Sequence, residues 1–251
     1  MTSALGPAAY EDGVYRRRYL LRADDVDMHR VLRTSRLLEL VQEAAIAHTE
    51  QVGMGRRKTL DAGILWVVAR QHIEVARWPR YDERIEVEAW PGPMQHVLFP
   101  RFALVRDAKG RELARSSALW LLMSARTRKM VFPAHAGIHV DGVPHGPAIP
   151  LPGALTGVTD GGGQAEVVVP YSACDLNGHL NNARTLDLAE DRLAGPLNGV
   201  RPIAVDIDFE GEAAPGEVLA LSWREDGAGA RVEATHDGAP VFRLAMAYPQ
   251  R

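Results

Sequence analysis

The sequence has one cysteine, no long apolar run and little net charge, and each of these features excludes a class of protein. Because Cys174 is the only thiol among 251 residues, disulfide frameworks and cysteine metal sites are excluded. No apolar stretch approaches the roughly 18 residues of a membrane-spanning helix. A net charge of −3 gives no general attraction to nucleic acid or to a membrane. We therefore expect a protein of a reducing, cytoplasmic compartment, without nucleic-acid or membrane partners.

Metal and targeting motifs are also missing. The nine histidines are scattered, and none belongs to a His-Glu-x-x-His zinc helix. The opening residues, MTSALGPAAYEDG, lack the basic and apolar segments of a secretory signal. We therefore expect no metal and no cofactor.

The most informative stretch is CDLNGHLNN, which places Asp175, Asn177 and His179 at alternate positions. A strand-like run, 165–171, precedes it, and a helical period follows at about 180–194. The first N–H groups of that helix would point back at the three side chains and carry partial positive charge. A carboxylate, an amide and an imidazole at such a place can bind a carbonyl group and activate water. The alternative is an ordinary turn, which explains the Asp, Asn and Gly but does not require the histidine or the Asn-Asn pair.

The rest of the chain predicts two similar halves. In the first, a helix at about 34–52 has a broad apolar face formed by Leu37, Leu38, Val41, Ala44, Ala45, His48 and Val52. The strand patterns of this half are 15–22, 64–77, 84–90, 96–107, 111–124 and 126–132. Those that follow the second helix are 203–210, 217–224, 230–236 and 240–248.

A stretch rich in Pro and Gly separates the halves, and we interpret it as a linker. Asp25 and His29 open the first helix with the same spacing as Asp175 and His179, which supports a duplication. A repeated unit of this kind predicts an α+β fold, a tandem (double) hotdog with two antiparallel sheets each wrapping a long helix. The predicted boundaries are 14–132 for the first hotdog, 133–164 for the linker and 165–251 for the second hotdog.

The halves differ at one position. In IAVDIDFEGE the odd positions from Ile203 to Phe209 are predicted to face the core, so Glu212 would face solvent. Gly211 can insert a bulge that turns Glu212 inward, where a carboxylate needs a partner or a function. The corresponding residue of the first half is Trp78. We infer a catalytic second half and a substrate-holding first half, the alternative being a surface glutamate at a strand end.

With these residues the chain resembles the acyl-(acyl carrier protein) thioesterases of plant plastids and bacteria. Their D-x-N-x-H-x-N-N motif is present in full from Asp175 to Asn182, and their inward glutamate maps onto Glu212. The resemblance covers about 15–248, including ILWVVARQHIEVARWPRYDERIEVEAW and LVRDAKGRELARSSALWLLMSARTRKM. One departure is Ala213, where plant members carry a cysteine. A Cys-His-Asn mechanism that uses this position is therefore not available.

The resemblance implies hydrolysis of fatty acyl-(acyl carrier protein) thioesters to free fatty acid and holo-carrier, the step that terminates fatty acid synthesis. His179 and Glu212 would deprotonate a water, and Asp175 would either align that water or attack the thioester itself. Asn177 and the N–H groups at the helix start would hold the oxyanion. Asn181 is a further candidate for substrate binding.

The acyl chain is expected in an apolar channel of the first half, where Ala44, Trp66 and Val68 are the candidate substrate contacts. The expected partner is the acidic acyl carrier protein, bound by a monomer that acts as a pseudo-dimer or by a homodimer. The candidate carrier contacts are basic side chains: Arg16–Arg18, Arg56, Arg57, Lys58, Arg126, Arg128 and Lys129.

Other functions stay open. The chain could act on acyl-CoA, or it could be a non-catalytic acyl-binding hotdog, which would not need Glu212 and would tolerate loss of His179. A hotdog dehydratase would carry a different histidine pattern. A nucleophilic Cys174 is disfavoured, because alternation places the thiol opposite Asp175. Within the first half, a helix cap or a relic of duplication explains Asp25 better than a second active site does.

Overall fold

The computed structural model describes residues 3–158 and 162–250, and the chain divides into two units after Pro152. This division falls inside the stretch rich in Pro and Gly. Each unit contains one run of antiparallel strands, and the α+β class predicted from the sequence is confirmed.

The first unit is a sheet with strand order β1-β3-β5-β6-β7-β4, and β2 pairs with β3. Alternating apolar residues account for the longer strands, since every second side chain faces the core. The strands are β1 (Ser3–Ala4), β2 (Ala9–Glu11), β3 (Val14–Leu20), β4 (Ile64–Val75), β5 (Arg84–Pro91), β6 (Phe99–Asp107) and β7 (Glu112–Ser124).

Helix α1 (Thr34–Gln51) packs against β3, β5 and β6 of this sheet. The predicted apolar face is buried from Leu37 to His48, while Glu43 and Glu50 lie on the exposed side. Val52 stands just after the last turn and is half-buried. A short helix, α2 (Arg56–Asp61), follows and contacts β4.

The predicted strand at 126–132 is wrong. Here Arg128 has a positive φ of 55° and its N–H donates to the Ser124 carbonyl, so the chain turns tightly after β7. Only Met130 forms an isolated bridge, with Met123. The segment turns and runs back along the end of β7. Alternating apolar and polar residues alone do not distinguish such a turn from a strand.

The segment after β7 contacts the rest of the first unit at several points. It begins with helix α3 (Pro133–Ala136). Further on, Val143 donates its N–H to the Pro91 carbonyl, and His145 lies 3.0 Å from Glu88. Ile149 is buried in a cluster with Val14, Trp90 and Leu104.

The second unit has strand order β9-β12-β11-β10-β8, again antiparallel throughout. Its elements are β8 (Gly163–Val168), α4 (Arg184–Glu190), α5 (Ala194–Leu197), β9 (Ala204–Phe209), β10 (Val218–Asp226), β11 (Gly229–His236) and β12 (Ala239–Ala247).

The predicted long helix at 180–194 is shorter in the structure, because it is interrupted at both ends. At its start, the side chain and carbonyl of Asn181 accept the N–H groups of the next residues, so α4 begins only at Arg184. At its end, the Glu225 carboxylate accepts the N–H groups of Ala194 and Gly195 at 2.7 and 2.8 Å, and the chain starts a separate turn, α5. A glutamate from β10 thus replaces the helical hydrogen bonds.

One histidine of α1 links helix and sheet inside the first unit. His48 is 1% exposed; its Nε2 lies 3.1 Å from the Gly13 carbonyl and its Nδ1 accepts from Arg101 at 3.0 Å. The carbonyl can only accept, so Nε2 carries the proton and the imidazole is neutral. Burial, and then the Arg101 charge, lower the pKa of His48 to about 4.

This depressed pKa predicts a loss of stability in mild acid. Below pH 6.5 the unfolded chain binds a proton at His48 that the folded chain refuses until about pH 4, so the free energy of unfolding falls across that window. Between pH 7 and pH 5 the loss from this group should be about 2 kcal/mol. Urea unfolding of wild type and His48→Gln at both pH values measures it. Equal pH dependence in the two proteins would contradict the assignment.

Candidate active site

The motif of the second unit forms a tight loop. Cys174 and Leu180 face each other in an isolated antiparallel bridge, and Asp175 donates its N–H to the His179 carbonyl at 2.9 Å. Gly178 closes the loop with a φ of +81°, a conformation that suits glycine. The five residues from Asp175 to His179 therefore form one turn, and its two ends are hydrogen-bonded to each other.

Asp175 and Asn177 are joined inside this loop. Oδ1 of Asp175 accepts the backbone N–H of Asn177 at 2.8 Å, and Oδ2 lies 3.3 Å from the Asn177 amide nitrogen. This is the Asx-turn chemistry that the alternative reading of the sequence invoked. The carboxylate is half-buried and the amide is exposed, so both groups can reach a molecule in solvent.

His179 lies beside Glu212. The imidazole Nε2 is 3.5 Å from Oε2 of the carboxylate, and the two side chains are 35% and 46% exposed. The backbone brings them together, because the next residue, Leu180, donates its N–H to the Ala213 carbonyl at 2.7 Å. An imidazole with a carboxylate partner and an open side is a common arrangement for a general base.

Gly211 explains how Glu212 reaches this place. The N–H groups of Glu210 and Gly211 both donate to the Val241 carbonyl, at 2.9 and 3.0 Å, which is the two-against-one pairing of a β-bulge. A Cβ at position 211 would lie 2.9 Å from the Pro240 carbonyl oxygen, so the bulge requires glycine. The predicted bulge is present, but the expected inward burial of Glu212 is wrong: β9 has already ended at Phe209, and the side chain of Glu212 is 46% exposed.

The predicted strand-to-helix position of the motif also needs correction. Four residues, Leu180 to Ala183, separate His179 from α4. The Asn181 side chain accepts the Ala183 N–H at 2.8 Å, and its carbonyl accepts that of Arg184 at 2.9 Å. Asn181, expected to bind substrate, is thus placed at the start of the helix, where it satisfies N–H groups that we expected to face the oxyanion.

The single thiol lies apart from the imidazole. Cys174 is half-buried, and its Sγ is 3.6 Å from the Pro170 carbonyl. Among the described residues, neither His179 nor a charged group hydrogen-bonds to this sulfur. In the described residues, the thiol therefore has no hydrogen bond to a general base, which a nucleophilic cysteine needs.

The candidate substrate contacts of the first unit lie on α1 and β4. Ala44 and Val68 are buried, and Trp66 is half-buried with its ring 4.8 Å from that of Phe99. A small cavity nearby has polar residues in its otherwise apolar wall, a feature that the apolar channel expected from the sequence does not include. The polar members are Gln42, Gln71, Arg101 and Ser116.

The pair of the first half that mirrors the motif has a structural role. Asp25 is 1% exposed; its carboxylate accepts the Arg22 N–H at 2.7 Å and pairs with Arg36 at 2.9 Å. Asp27 accepts the N–H groups of His29 and Val31. These contacts fix the turn before α1.

The described ranges contain neither a metal site nor a membrane-spanning helix. No group of three or more His, Cys, Asp or Glu side chains there is arranged to hold a metal ion. In the same residues, no helix has the length and apolar character needed to cross a membrane.

Comparison with known families gives a match for the first unit. Residues 12–133 fit the model of the acyl-ACP thioesterase N-terminal domain. The dodecanoyl-[acyl-carrier-protein] hydrolase of Umbellularia californica is 35% identical over 124 residues, which are 47% of this chain and 32% of the relative. That of Cinnamomum camphora is 30% identical over 193 residues, 69% of this chain and 49% of the relative. The chain thus spans no more than about half the length of the curated relatives it matches.

Solved structures match over nearly the whole chain. An acyl-ACP thioesterase from Bacteroides thetaiotaomicron has a TM-score of 0.86 at 22% identity and covers 94% of this chain and 98% of its own. The 12:0-ACP thioesterase of Umbellularia californica has a TM-score of 0.82 at 22% identity, with 97% and 100% covered. The tandem hotdog fold predicted from the sequence is confirmed by these neighbours. The comparisons thus identify residues 12–133 as an acyl-ACP thioesterase N-terminal domain, and they show that the chain has the fold of the two thioesterase structures.

Proposed function

We propose that the protein hydrolyses fatty acyl-(acyl carrier protein) thioesters, releasing free fatty acid and the carrier thiol. The observation that carries this proposal is the contact between His179 and Glu212. His179 shares one loop with Asp175 and Asn177, and Glu212 reaches it from the segment after β9. The relatives named as acyl-carrier-protein hydrolases support the same reaction class. Acyl-CoA stays an alternative substrate, which differs in the carrier and not in the bond cleaved.

The proposed chemistry begins at the imidazole. A carboxylate only accepts hydrogen bonds, so Glu212 holds the imidazole proton on Nε2 and leaves the lone pair on Nδ1. Nδ1 of His179 then takes a proton from the attacking water, and Glu212 stabilises the imidazolium that forms. Asp175 either aligns this water for attack on the thioester or attacks the carbonyl carbon itself. In the first case the thiolate leaves and takes the proton from His179. In the second case the thiolate leaves as an acyl-aspartyl anhydride forms, and the water deprotonated by His179 then hydrolyses that anhydride.

The thioester carbonyl needs a hydrogen-bond donor as it becomes an oxyanion. We assign this role to the Asn177 side chain, which lies exposed on the same turn as Asp175. The Asn181 side chain accepts the Ala183 N–H just before α4, and we assign it a role in positioning the substrate through the loop that precedes the helix. In this scheme residues 165–251 carry the chemistry, residues 14–132 hold the acyl chain, and residues 133–164 connect the two.

The carrier would dock through basic side chains. Arg56, Arg57 and Lys58 are exposed on α2, as are Arg126, Arg128 and Lys129 in the loop after β7. The two segments are neighbours, since Ala125 donates its N–H to the Gly63 carbonyl at 2.9 Å. Arg16 and Arg18 instead pair with Glu88 and Glu86 on β5, so we give them a smaller part. A cytoplasmic location, and a monomer or homodimer, stay predictions.

The first prediction concerns His179 and Glu212. His179→Ala should lower kcat by roughly two to four orders of magnitude while the protein stays folded, because the general base is lost. Glu212→Gln should cost less, and in the double variant it should add almost nothing, since the two groups act as one unit. Steady-state hydrolysis of a fatty acyl-carrier substrate measures all three.

The matched control is His236→Ala, another partly exposed histidine of the second unit, whose partner is Glu217 at 3.8 Å. Its rate should stay close to that of wild type. Near-normal hydrolysis by a folded His179→Ala variant would reject the mechanism, and binding of acyl carriers without hydrolysis by the wild type would favour a non-catalytic acyl-binding protein.

A second prediction concerns Cys174. Because the thiol contacts the Pro170 carbonyl and lies away from His179 in the loop, Cys174→Ser should keep most of the activity. Alkylation should inactivate the enzyme slowly if at all. Loss of turnover in a folded Cys174→Ser protein, with an acyl-cysteine trapped in mass spectrometry, would identify a covalent mechanism instead.

A third prediction tests where the acyl chain binds. Ala44→Phe adds a ring on the buried face of α1, and Val68→Trp does so on β4, so both should shift the chain-length profile toward shorter substrates. Ile46→Phe, on the exposed face of the same helix, is the control and should leave the profile unchanged. The measurement is relative kcat/KM over a series of saturated acyl-carrier substrates. Unchanged profiles for both buried variants would place the channel elsewhere.

A further inference from the structure

The interior of the first unit contains a cluster of polar side chains around one small cavity. The cavity has a volume of about 10 Å³, enough for a single oxygen-sized group, and four of its lining residues each carry a buried nitrogen or oxygen atom without a partner in the described structure. The unpartnered atoms are Gln42 Nε2, Gln71 Oε1, Arg101 Nε and Trp120 Nε1. Buried polar groups without partners destabilise the folded protein, so four around one cavity require an explanation.

Arg101 is the most unusual member, because it is a cation with 3% exposure. Its Nη1 donates to His48 Nδ1 at 3.0 Å and its Nη2 donates to Thr49 Oγ1 at 3.1 Å. Both partners are neutral, and no carboxylate in the described ranges pairs with the guanidinium. Of the three guanidinium nitrogens, Nε is the one without an acceptor in the described structure.

Gln71 provides a hydrogen-bond acceptor, and the hydrogen bonds around its side chain determine the orientation of its amide group. The Ser116 hydroxyl donates to the His72 carbonyl at 2.8 Å, so it accepts from Gln71 Nε2 at 2.5 Å. The same Nε2 lies 3.3 Å from the Ser117 carbonyl. The nitrogen is thus held by two acceptors, and Oε1 is the unpartnered acceptor of the cluster.

The cluster therefore offers three donors and one acceptor to a group in the cavity. A hydroxyl group can accept hydrogen bonds from two of the donors and donate one to Gln71 Oε1, so it satisfies donors and acceptor together. A ketone oxygen would leave Oε1 unpartnered, and a methyl group would leave all four atoms unpartnered. The cavity also adjoins the candidate acyl-chain contacts, since Trp120 pairs with Val68 across β4 and β7 and its ring lies 6.5 Å from that of Trp66.

We propose that this cluster is a recognition site for a hydroxyl group carried on the acyl chain, so that the preferred substrates are hydroxyacyl thioesters and not plain alkanoyl thioesters. The proposal rests on the proposed function, because it assumes that the first unit holds the acyl chain. Two of the three donors, Arg101 Nε and Trp120 Nε1, donate to the hydroxyl oxygen, and Gln71 Oε1 accepts the hydrogen bond from its O–H. The cost of burying the unpaired groups is recovered only when such a chain is bound.

The test compares acyl carrier protein loaded with dodecanoyl chains that differ only in a hydroxyl group and its position. One positional isomer should exceed the unsubstituted chain in kcat/KM by tenfold or more. Trp120→Phe keeps an aromatic ring and removes the N–H, and Gln71→Met removes the acceptor; each should bring that ratio down toward one. Trp90→Phe makes the same change elsewhere in the first unit, beside His145, and should keep the wild-type ratio.

The outcomes separate this inference from the proposed function. Hydrolysis of every chain with no isomer above the unsubstituted one would overturn the hydroxyl site, and the cluster would then hold one water. A preference that survives in both Trp120→Phe and Gln71→Met would also overturn it. If no chain is hydrolysed, the proposed function fails, and the site is judged by Tm: hydroxydodecanoate should raise Tm more than dodecanoate does, and equal shifts would reject the site.

Discussion

The candidate active site depends on one backbone hydrogen bond, from the Leu180 N–H to the Ala213 carbonyl at 2.7 Å. This bond ties the motif loop to the segment that follows β9, and it brings His179 and Glu212 together although they are far apart in sequence. The same segment contains the bulge at Gly211, where a Cβ would meet the Pro240 carbonyl oxygen.

The first unit is governed by a different constraint, the burial of α1 against its sheet. Most of that interface is apolar, as the periodicity of the helix requires. Yet His48 and Arg101 are buried with it. His48 is neutral because its pKa falls to about 4, whereas Arg101 stays a cation although burial lowers its pKa to about 10. Burial of a cation is costly, and natural proteins keep such groups mainly where they bind or position something.

Much of the fold follows from local sequence pattern. The helix at 34–52, the long strands of the first half and the four strands after the motif all appear within a few residues of their predicted bounds, because their apolar periods are long and regular. The errors fall where periodicity is short. The segment 126–132 alternates like a strand but turns at Arg128, and the helix at 180–194 is cut to Arg184–Glu190 by Asn181 and by Glu225 from β10.

By itself, the sequence determined which residues of the motif come together, since Asp175, Asn177 and His179 are close in the chain and a glycine permits their turn. It also determined the α+β class and the duplicated arrangement. Only the tertiary structure decided that Glu212 stays partly exposed beside His179, and that a buried cation shares a cavity wall with Gln71. These contacts join residues that are distant in the chain, and burial and pairing at such distances depend on packing, which no local period encodes.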